Sequence, residues 1–291
     1  MNAQLIGIPL DRPGYDRFIG AWVLEGDTNI VIDVGPANGV QHLIDALKAR
    51  HWGRVDFVLL THIHIDHAGG LADFLEQFPT AKVVVHRIGI KHLVDPSRLW
   101  AGSKQVLGEL ADFYGPIKPV PPERLIAHPD ARIPGLGIIE TPGHAAHHLS
   151  FTFRNELFPG EAGGNYCVVA GKEYLRPATP PLFFLNEFQE SIQRMLALKD
   201  QPICYAHFGR AESSHRMLRR FSEQLLRWKT LIAEEISRGP EDLEERCANR
   251  LLADDPELAA FKDMDPASQL RERSFMSNSI NGYIQFLQKG E

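Results

Sequence analysis

Four side chains that bind metal ions in proteins lie within one short stretch of this sequence. They are His62, His64, Asp66 and His67, and they follow an apolar run at residues 58–60. Side chains of an extended segment alternate between faces, so His62 and His64 point the same way. A turn after the strand can bring Asp66 and His67 round beside them. Neutral imidazoles with a carboxylate suit zinc or a similar divalent ion, so the stretch predicts a metal site.

Strand-like and helical segments alternate around this stretch. Runs rich in β-branched and aromatic residues predict strands at residues 4–8, 22–24, 29–33, 55–60 and 81–85. Apolar residues at helical spacing predict helices over residues 40–47 and 71–78 and a helical insertion at about residues 92–115. Strand-like runs return between residues 133 and 169. A long amphipathic helix then ends near Gly239 and Pro240. We therefore expect an α/β fold, with a catalytic domain over residues 1–210 and a helical C-terminal region over residues 211–291.

The composition limits the classes of partner. The 31 basic and 37 acidic side chains give a formal net charge of -6, which argues against a broad phosphate-binding surface. No run approaches the ~20 apolar residues of a membrane-spanning helix, and residues 1–10 lack the pattern of a secretion signal. Cys167, Cys204 and Cys247 are widely separated, which favours neither a disulfide framework nor a thiolate metal site. We expect a cytoplasmic protein with a small-molecule substrate and no nucleic-acid or membrane partner, and a homodimer is compatible with the sequence.

The string Thr-His-x-His-x-Asp-His at residues 61–67 resembles that of the metallo-β-lactamase superfamily, and in particular its glyoxalase II-like hydrolases. Three later strings fit the same family pattern in order and spacing. They are Thr-Pro-Gly-His at residues 141–144, Gly-Glu at residues 160–161 and Ala-His-Phe-Gly at residues 206–209. The resemblance covers roughly residues 5–210 and is far more specific than any one string. It implies an αββα metallo-β-lactamase sandwich, to which this chain adds the helical insertion and the C-terminal helices.

The resemblance also implies two divalent transition-metal ions, with zinc expected first and iron or manganese also compatible. The ligands of the first ion would be His62, His64 and His144. The ligands of the second ion would be Asp66, His67 and His207, with Asp66 also orienting the attacking hydroxide. Glu161 would lie between the two ions, where the family normally has aspartate. Since two ions that share a hydroxide lie about 3.5 to 4 Å apart, the longer side chain of Glu161 is expected to change their separation or their relative occupancy.

Further residues are expected to support the site or to contact the substrate. Asp33 matches an early strand-end aspartate of the family that orients the site, although a turn-forming role before Gly35 is equally compatible. His148 matches the second histidine of the family string, which usually does not bind metal. Trp100 in the insertion, together with Tyr174 and Arg176, is a candidate for the wall of the substrate pocket.

The expected activity is hydrolysis, in which a metal-bound hydroxide attacks an ester, thioester or lactone carbonyl. The absence of a Gly-x-Ser-x-Gly string agrees with a metal-based nucleophile. An iron-dependent oxidoreductase of the same fold, similar to persulfide dioxygenases, stays open because it would use the same strings. The flavodiiron type is disfavoured because it has glutamate at the position of His64, and RNA processing is disfavoured by the acidic charge balance. A metal-binding sensor with a ligand pocket is a further alternative.

Overall fold

The computed structural model describes residues 3–181 and 183–289, which divide into two units. The first unit consists of the residues through Glu140 together with His147–Phe158. The second consists of Thr141–Ala146 together with the residues from Pro159 onward. The domain boundary near residue 210 was drawn from the sequence pattern and stays a prediction.

A six-stranded sheet forms the centre of the first unit. Its strands are, in spatial order, β1 (Gln4–Gly7), β2 (Gly20–Leu24), β3 (Ile30–Ile32), β4 (Phe57–Leu59), β5 (Lys82–Val85) and β6 (Leu125–Ala127). The first three strands pair antiparallel, whereas β3 to β6 pair parallel. The whole of β3 and residues 83–85 of β5 are buried. Continuous apolar runs of this kind are expected of parallel strands that are covered on both faces.

Helices connect these strands, and three further strands complete the first unit. The helices are α1 (Val40–Ala49), α2 (Ile65–Ala68), α3 (Leu71–Gln77), α4 (Ile90–Val94), α5 (Ser97–Leu107) and α6 (Glu109–Tyr114), with 3-10 turns at Pro122–Arg124 and His128–Asp130. The apolar residues that predicted α1 are all buried, which confirms the helix expected over residues 40–47. Strands β7 (Gly137–Glu140), β8 (Leu149–Phe153) and β9 (Glu156–Phe158) pair antiparallel in sequence order.

The parallel strands place their C-terminal ends along one edge of the sheet. Asp33 follows β3, His62 lies just beyond β4, His86 follows β5 and His128 follows β6. Ligands of open α/β sheets bind at this kind of edge. The edge therefore positions the histidine string predicted to carry the chemistry.

The second unit is mainly helical. Its strands form two antiparallel pairs, β10 (Asn165–Val169) with β11 (Lys172–Arg176) and β12 (Ile203–Cys204) with β13 (Arg210–Ala211). Its helices are α7 (Leu185–Leu196), α8 (Ser214–Ser237), α9 (Leu243–Asp254) and α10 (Pro266–Lys289). Two 3-10 turns lie at Gly160–Gly163 and Pro256–Asp263. Helix α8 is the predicted long amphipathic helix and buries Phe221, Leu225 and Trp228. Within residues 3–181 and 183–289, no helix has the length and apolarity needed to cross a membrane.

Candidate functional site

His62, His64, Asp66 and His67, here called the first ligand group, lie together in the first unit. The ring centroid of His62 is 4.5 Å from that of His64 and 4.1 Å from that of His67. Asp66 and His67 belong to α2, a single turn that begins directly after His64. His62 and His67 are buried, whereas His64 and Asp66 are half-buried. The strand end and the following turn therefore bring these side chains side by side, as the spacing predicted.

Asp33 orients the ring of His67 and holds Thr61. Its backbone has a φ of 56°, a left-handed conformation that aspartate adopts more readily than most residues. One carboxylate oxygen accepts the Thr61 N–H at 2.8 Å. The other accepts the Thr61 hydroxyl at 2.8 Å and lies 3.0 Å from His67 Nδ1. The carboxylate oxygen accepts these hydrogen bonds, so His67 carries a proton on Nδ1 and its Nε2 is the nitrogen through which it would bind a metal ion.

Thr61 extends the same arrangement to His62. Because the Thr61 hydroxyl donates its single proton to Asp33, its oxygen accepts from His62 Nδ1 at 3.0 Å. His62 therefore also presents a Nε2 lone pair. Metal-binding histidines typically donate their other N–H to a fixed oxygen in this way. The tautomers of His62 and His67 thus fit the metal ions that the sequence predicted.

Two further histidines contact the first ligand group. The buried ring of His148 stacks on His62 with centroids 5.1 Å apart. His147 lies edge to face with His64 at 5.5 Å, and its Nδ1 accepts the Ile63 N–H at 3.4 Å. Sequence reasoning did not place His147 at the site, and the only signal for it was its position next to His148.

His144, Glu161 and His207, here called the second ligand group, lie together in the second unit. Glu161 Oε2 is 2.8 Å from His144 Nε2, and Glu161 Oε1 is 3.1 Å from His207 Nε2. All three side chains are buried. Burial alone would raise the pKa of Glu161, but the two imidazoles hold it well below its usual range. One carboxylate oxygen therefore faces each ring, so a single glutamate serves both histidines.

The ring of His144 is also held in a tautomer that suits metal binding. Its Nδ1 lies 2.9 Å from the carbonyl oxygen of Ala178, which can only accept. His144 consequently carries a proton on Nδ1, and its Nε2, which lies 2.8 Å from Glu161 Oε2, is the nitrogen through which it would bind a metal ion. No sequence pattern had singled out Ala178, because a backbone carbonyl carries no residue-type signal.

Another pair of histidines lies at the ends of β5 and β6. His86 and His128 stack with centroids 4.6 Å apart, and His128 Nε2 lies 2.7 Å from Glu140 Oε1. Both Nδ1 atoms accept backbone N–H groups, of Ile88 and Arg87 respectively, at 3.3 Å. Burial lowers the pKa of His86, which favours the neutral ring. The two rings therefore carry their protons on Nε2. Metal binding through Nε2 would need the proton on Nδ1 instead. This geometry fits a hydrogen-bonded structural pair better than a metal site.

The residues predicted to line a substrate pocket have different surroundings. Trp100 is half-buried on α5. Tyr174 and Arg176 on β11 are buried in the second unit, where Arg176 Nε donates to Glu272 Oε2 at 2.5 Å. Contact of these three side chains with a substrate stays a prediction.

Comparisons with known proteins agree with these observations. A family model described as the metallo-beta-lactamase superfamily matches residues 15–207. The metallo-beta-lactamase fold-containing protein ST1585 of Sulfurisphaera tokodaii is 29% identical over 215 residues, which cover 70% of this chain and 78% of that protein. A hydroxyacylglutathione hydrolase of Aeromonas salmonicida is 27% identical over 191 residues, which cover 65% of this chain and 60% of that enzyme.

A solved structure resembles the chain over nearly its whole length. The crystal structure of ST1585 from Sulfolobus tokodaii aligns with a TM-score of 0.68 at 24% identity and covers 98% of this chain and 100% of that one. The likeness extends beyond residue 207, where the family match ends. It therefore includes the helical C-terminal region.

Proposed function

The chain belongs to the metallo-beta-lactamase superfamily, and we propose that it is a metal-dependent hydrolase of an ester, a thioester or a lactone. One observation carries the proposal. The Nδ1 atoms of His62, His67 and His144 each face an oxygen that accepts their proton, which makes Nε2 the metal-binding nitrogen of each ring. Histidines that served only as structural polar residues would not need this common orientation.

The two ligand groups supply only nitrogen and oxygen atoms. This donor set suits zinc, and it also accepts iron or manganese. Bound divalent ions supply Lewis acidity and lower the pKa of water to about 7. The chain's own residues would hold and orient the reactants: Asp66 would be a ligand and would orient the attacking hydroxide, and Asp33 keeps His67 in place.

Glu161 gives the proposed centre an asymmetry. It takes the place of the aspartate usual in the family, and one oxygen faces each histidine of the second ligand group. We expect two unequal metal affinities. The ion that depends on Asp66, His67 and His207 is expected to be the weaker one, because its ligands include more carboxylate and less imidazole.

The substrate class rests on the relatives. The Aeromonas relative is named a hydroxyacylglutathione hydrolase, and such an enzyme cleaves a thioester. The chain spans less than two thirds of that enzyme, so glutathione thioesters are one member of the proposed class and not its definition. Esters and lactones share the carbonyl that a metal-activated water attacks.

The test uses the full-length chain stripped of metal and reloaded separately with zinc, manganese or iron. A panel of aryl ester, acyl thioester, lactone and phosphodiester substrates is assayed for each form. We expect metal-dependent cleavage of at least one carbonyl substrate, and its loss in His62→Ala. Equal turnover in metal-free and metal-loaded protein would contradict the proposal. Oxygen uptake by the iron form with a persulfide, without hydrolysis of any panel member, would favour the oxidoreductase instead.

A further inference from the structure

Helix α10 holds the loop that orients a proposed metal ligand. Ser279, buried on α10, donates its hydroxyl to the Pro177 carbonyl at 3.2 Å. The Thr179 N–H donates to Ser279 Oγ at 3.3 Å, and the Thr179 hydroxyl donates to the Ser279 carbonyl at 3.4 Å. The residues on both sides of Ala178 are therefore fixed to one serine, and the direction of the Ala178 carbonyl is fixed with them.

Gly282 lets the helix backbone come this close. A Cβ atom at this position would lie 2.0 Å from the Thr179 carbonyl oxygen and 3.1 Å from that of Pro180. Both neighbours are backbone atoms, which cannot rotate away as the end of a flexible side chain can. Only glycine fits this contact without moving the loop.

An ion pair anchors the start of the same loop. Glu272 of α10 accepts from Arg176 Nε at 2.5 Å, and Arg176 Nη1 donates to the Pro177 carbonyl at 3.2 Å. Glu272 and Arg176 are both buried. Glu272, Ser279 and Gly282 recur at spacings that place them along one face of a helix. One face of α10 therefore contacts the loop at three points.

We propose that α10 is a positioning element of the metal centre, and that Ser279 and Gly282 are positioning residues for His144. The chain of contacts runs from Ser279 to Pro177 and Thr179, and then from the Ala178 carbonyl to His144 Nδ1 at 2.9 Å. This inference rests on the proposed metal binding. It adds that the helix, which lies outside the family match, sets the affinity of one metal ion.

The test is a titration of the metal-stripped full-length chain with Co²⁺. Binding is monitored through the visible absorption spectrum of the bound ion. Ser279→Ala removes the hydroxyl contacts to the Pro177 carbonyl and the Thr179 N–H, whereas the contacts of the Thr179 hydroxyl and of Arg176 Nη1 with backbone carbonyls remain. Loss of a contact that orients a metal ligand costs about 10-fold to 100-fold in metal affinity. Because Ser279 acts through a loop, we expect about 10-fold weaker binding of one Co²⁺ equivalent, the lower end of that range, and an altered spectrum. We expect Gly282→Ala to weaken the same equivalent.

Two controls separate positioning from general stability. Ser274→Ala changes an exposed serine of the same helix, and Gly102→Ala adds a methyl group on α5 where nothing lies within 4 Å. Both are expected to keep the Co²⁺ affinities and spectrum of the wild type. If Gly282→Ala fails to fold by circular dichroism, Ser279→Ala decides alone. Wild-type affinities and spectrum in Ser279→Ala would overturn the inference, even with a lowered melting temperature. A wild-type chain that binds no Co²⁺ would instead refute the proposed metal binding.

Discussion

The two ligand groups differ in how far apart in the sequence their members lie, and in how far away the residues that orient them are. The first occupies one short stretch after β4, and its His62 and His67 rings are oriented by Thr61 and Asp33 at neighbouring strand ends. The second is dispersed over three loops. The carbonyl that orients its His144 adjoins Thr179, which contacts Ser279 100 residues further along the chain.

This difference shows two ways of fixing a metal ligand. A contiguous string takes its geometry from the strand that precedes it, so few other contacts are needed. A dispersed set depends on tertiary contacts, so distant substitutions can change it. The C-terminal helices should therefore affect the second ligand group much more than the first.

Glu161→Gln is expected to give the largest effect, because one carboxylate serves both histidines of the second ligand group. Glutamine keeps one oxygen that can bind a metal ion and presents in place of the other an NH₂ group, which does not bind metal ions, so one of the two carboxylate ligand atoms is lost. We expect about 100-fold weaker metal binding in a calorimetric titration, which is the upper end of the range for losing a contact that orients metal ligands. Glu190→Gln, exposed on α7, is the matched control and should bind like the wild type.

Two further variants at this position sharpen the result. Glu161→Asp restores the family residue and should bring the two metal affinities closer together if the backbone can follow the shorter side chain. Two tight and equal sites in Glu161→Ala would show that Glu161 is not a ligand.

Asp33→Asn tests the local support of the first ligand group. Asparagine tolerates the left-handed backbone, but its amide cannot accept hydrogen bonds at both atoms, so Thr61 or His67 loses its acceptor. We expect about 10-fold weaker metal binding and a free energy of unfolding lowered by about 2 kcal/mol. Asp56→Asn changes a carboxylate that accepts the Asn29 N–H at the other end of β4. Asp56→Asn should lower the free energy of unfolding without changing metal affinity. Equal metal affinities in Asp33→Asn and the wild type would show that Asp33 does not orient the metal-binding histidines.

Glu173→Gln asks whether α8 also supports the second ligand group. Hydrogen bonds from Arg216 and Arg220 lower the pKa of Glu173 to about 2. A depressed carboxyl pKa stabilises the fold above the ordinary value of 4.5, and this contribution disappears as the pH falls towards 2. In urea unfolding of the metal-free chain, the stability gap between wild type and Glu173→Gln should narrow over that interval. Metal affinities should not change, and a change as large as that in Ser279→Ala would mean that support is not specific to α10.

His128→Gln is expected to leave metal binding unaltered. His86 and His128 hold their protons on Nε2, and the substitution removes the contacts of His128 with Glu140 and the Arg87 N–H. We expect a loss of about 1 kcal/mol in the free energy of unfolding, with the same metal content as the wild type. A variant that binds one fewer metal ion would show that this pair is a third site.

The sequence predicted that His62, His64, Asp66 and His67 lie close together, because the signals there are local. The apolar run of β4, the alternation after it and the turn into α2 all act within a few residues. The long apolar periodicity of α8 was equally readable. For the second ligand group, only the family resemblance pointed to Glu161 and His207, since residues this far apart share no spacing rule.

The supports of the second group could not be predicted. Ser279 and Gly282 look like ordinary polar and small residues of a helix, and their role depends on which backbone atoms face them. The tautomers of His86 and His128 could not be predicted either. They follow from the backbone N–H groups that donate to the two Nδ1 atoms, and these contacts are visible only in the folded chain.

Metal content per chain, measured by elemental analysis, tests the central claim most directly. The full-length wild type, His62→Ala from the first ligand group and His207→Ala from the second are expressed in metal-replete medium and dialysed alike. We predict about two ions in the wild type and fewer in each variant, with circular dichroism unchanged. A metal-free wild type, or wild-type metal content in both variants, would contradict the account.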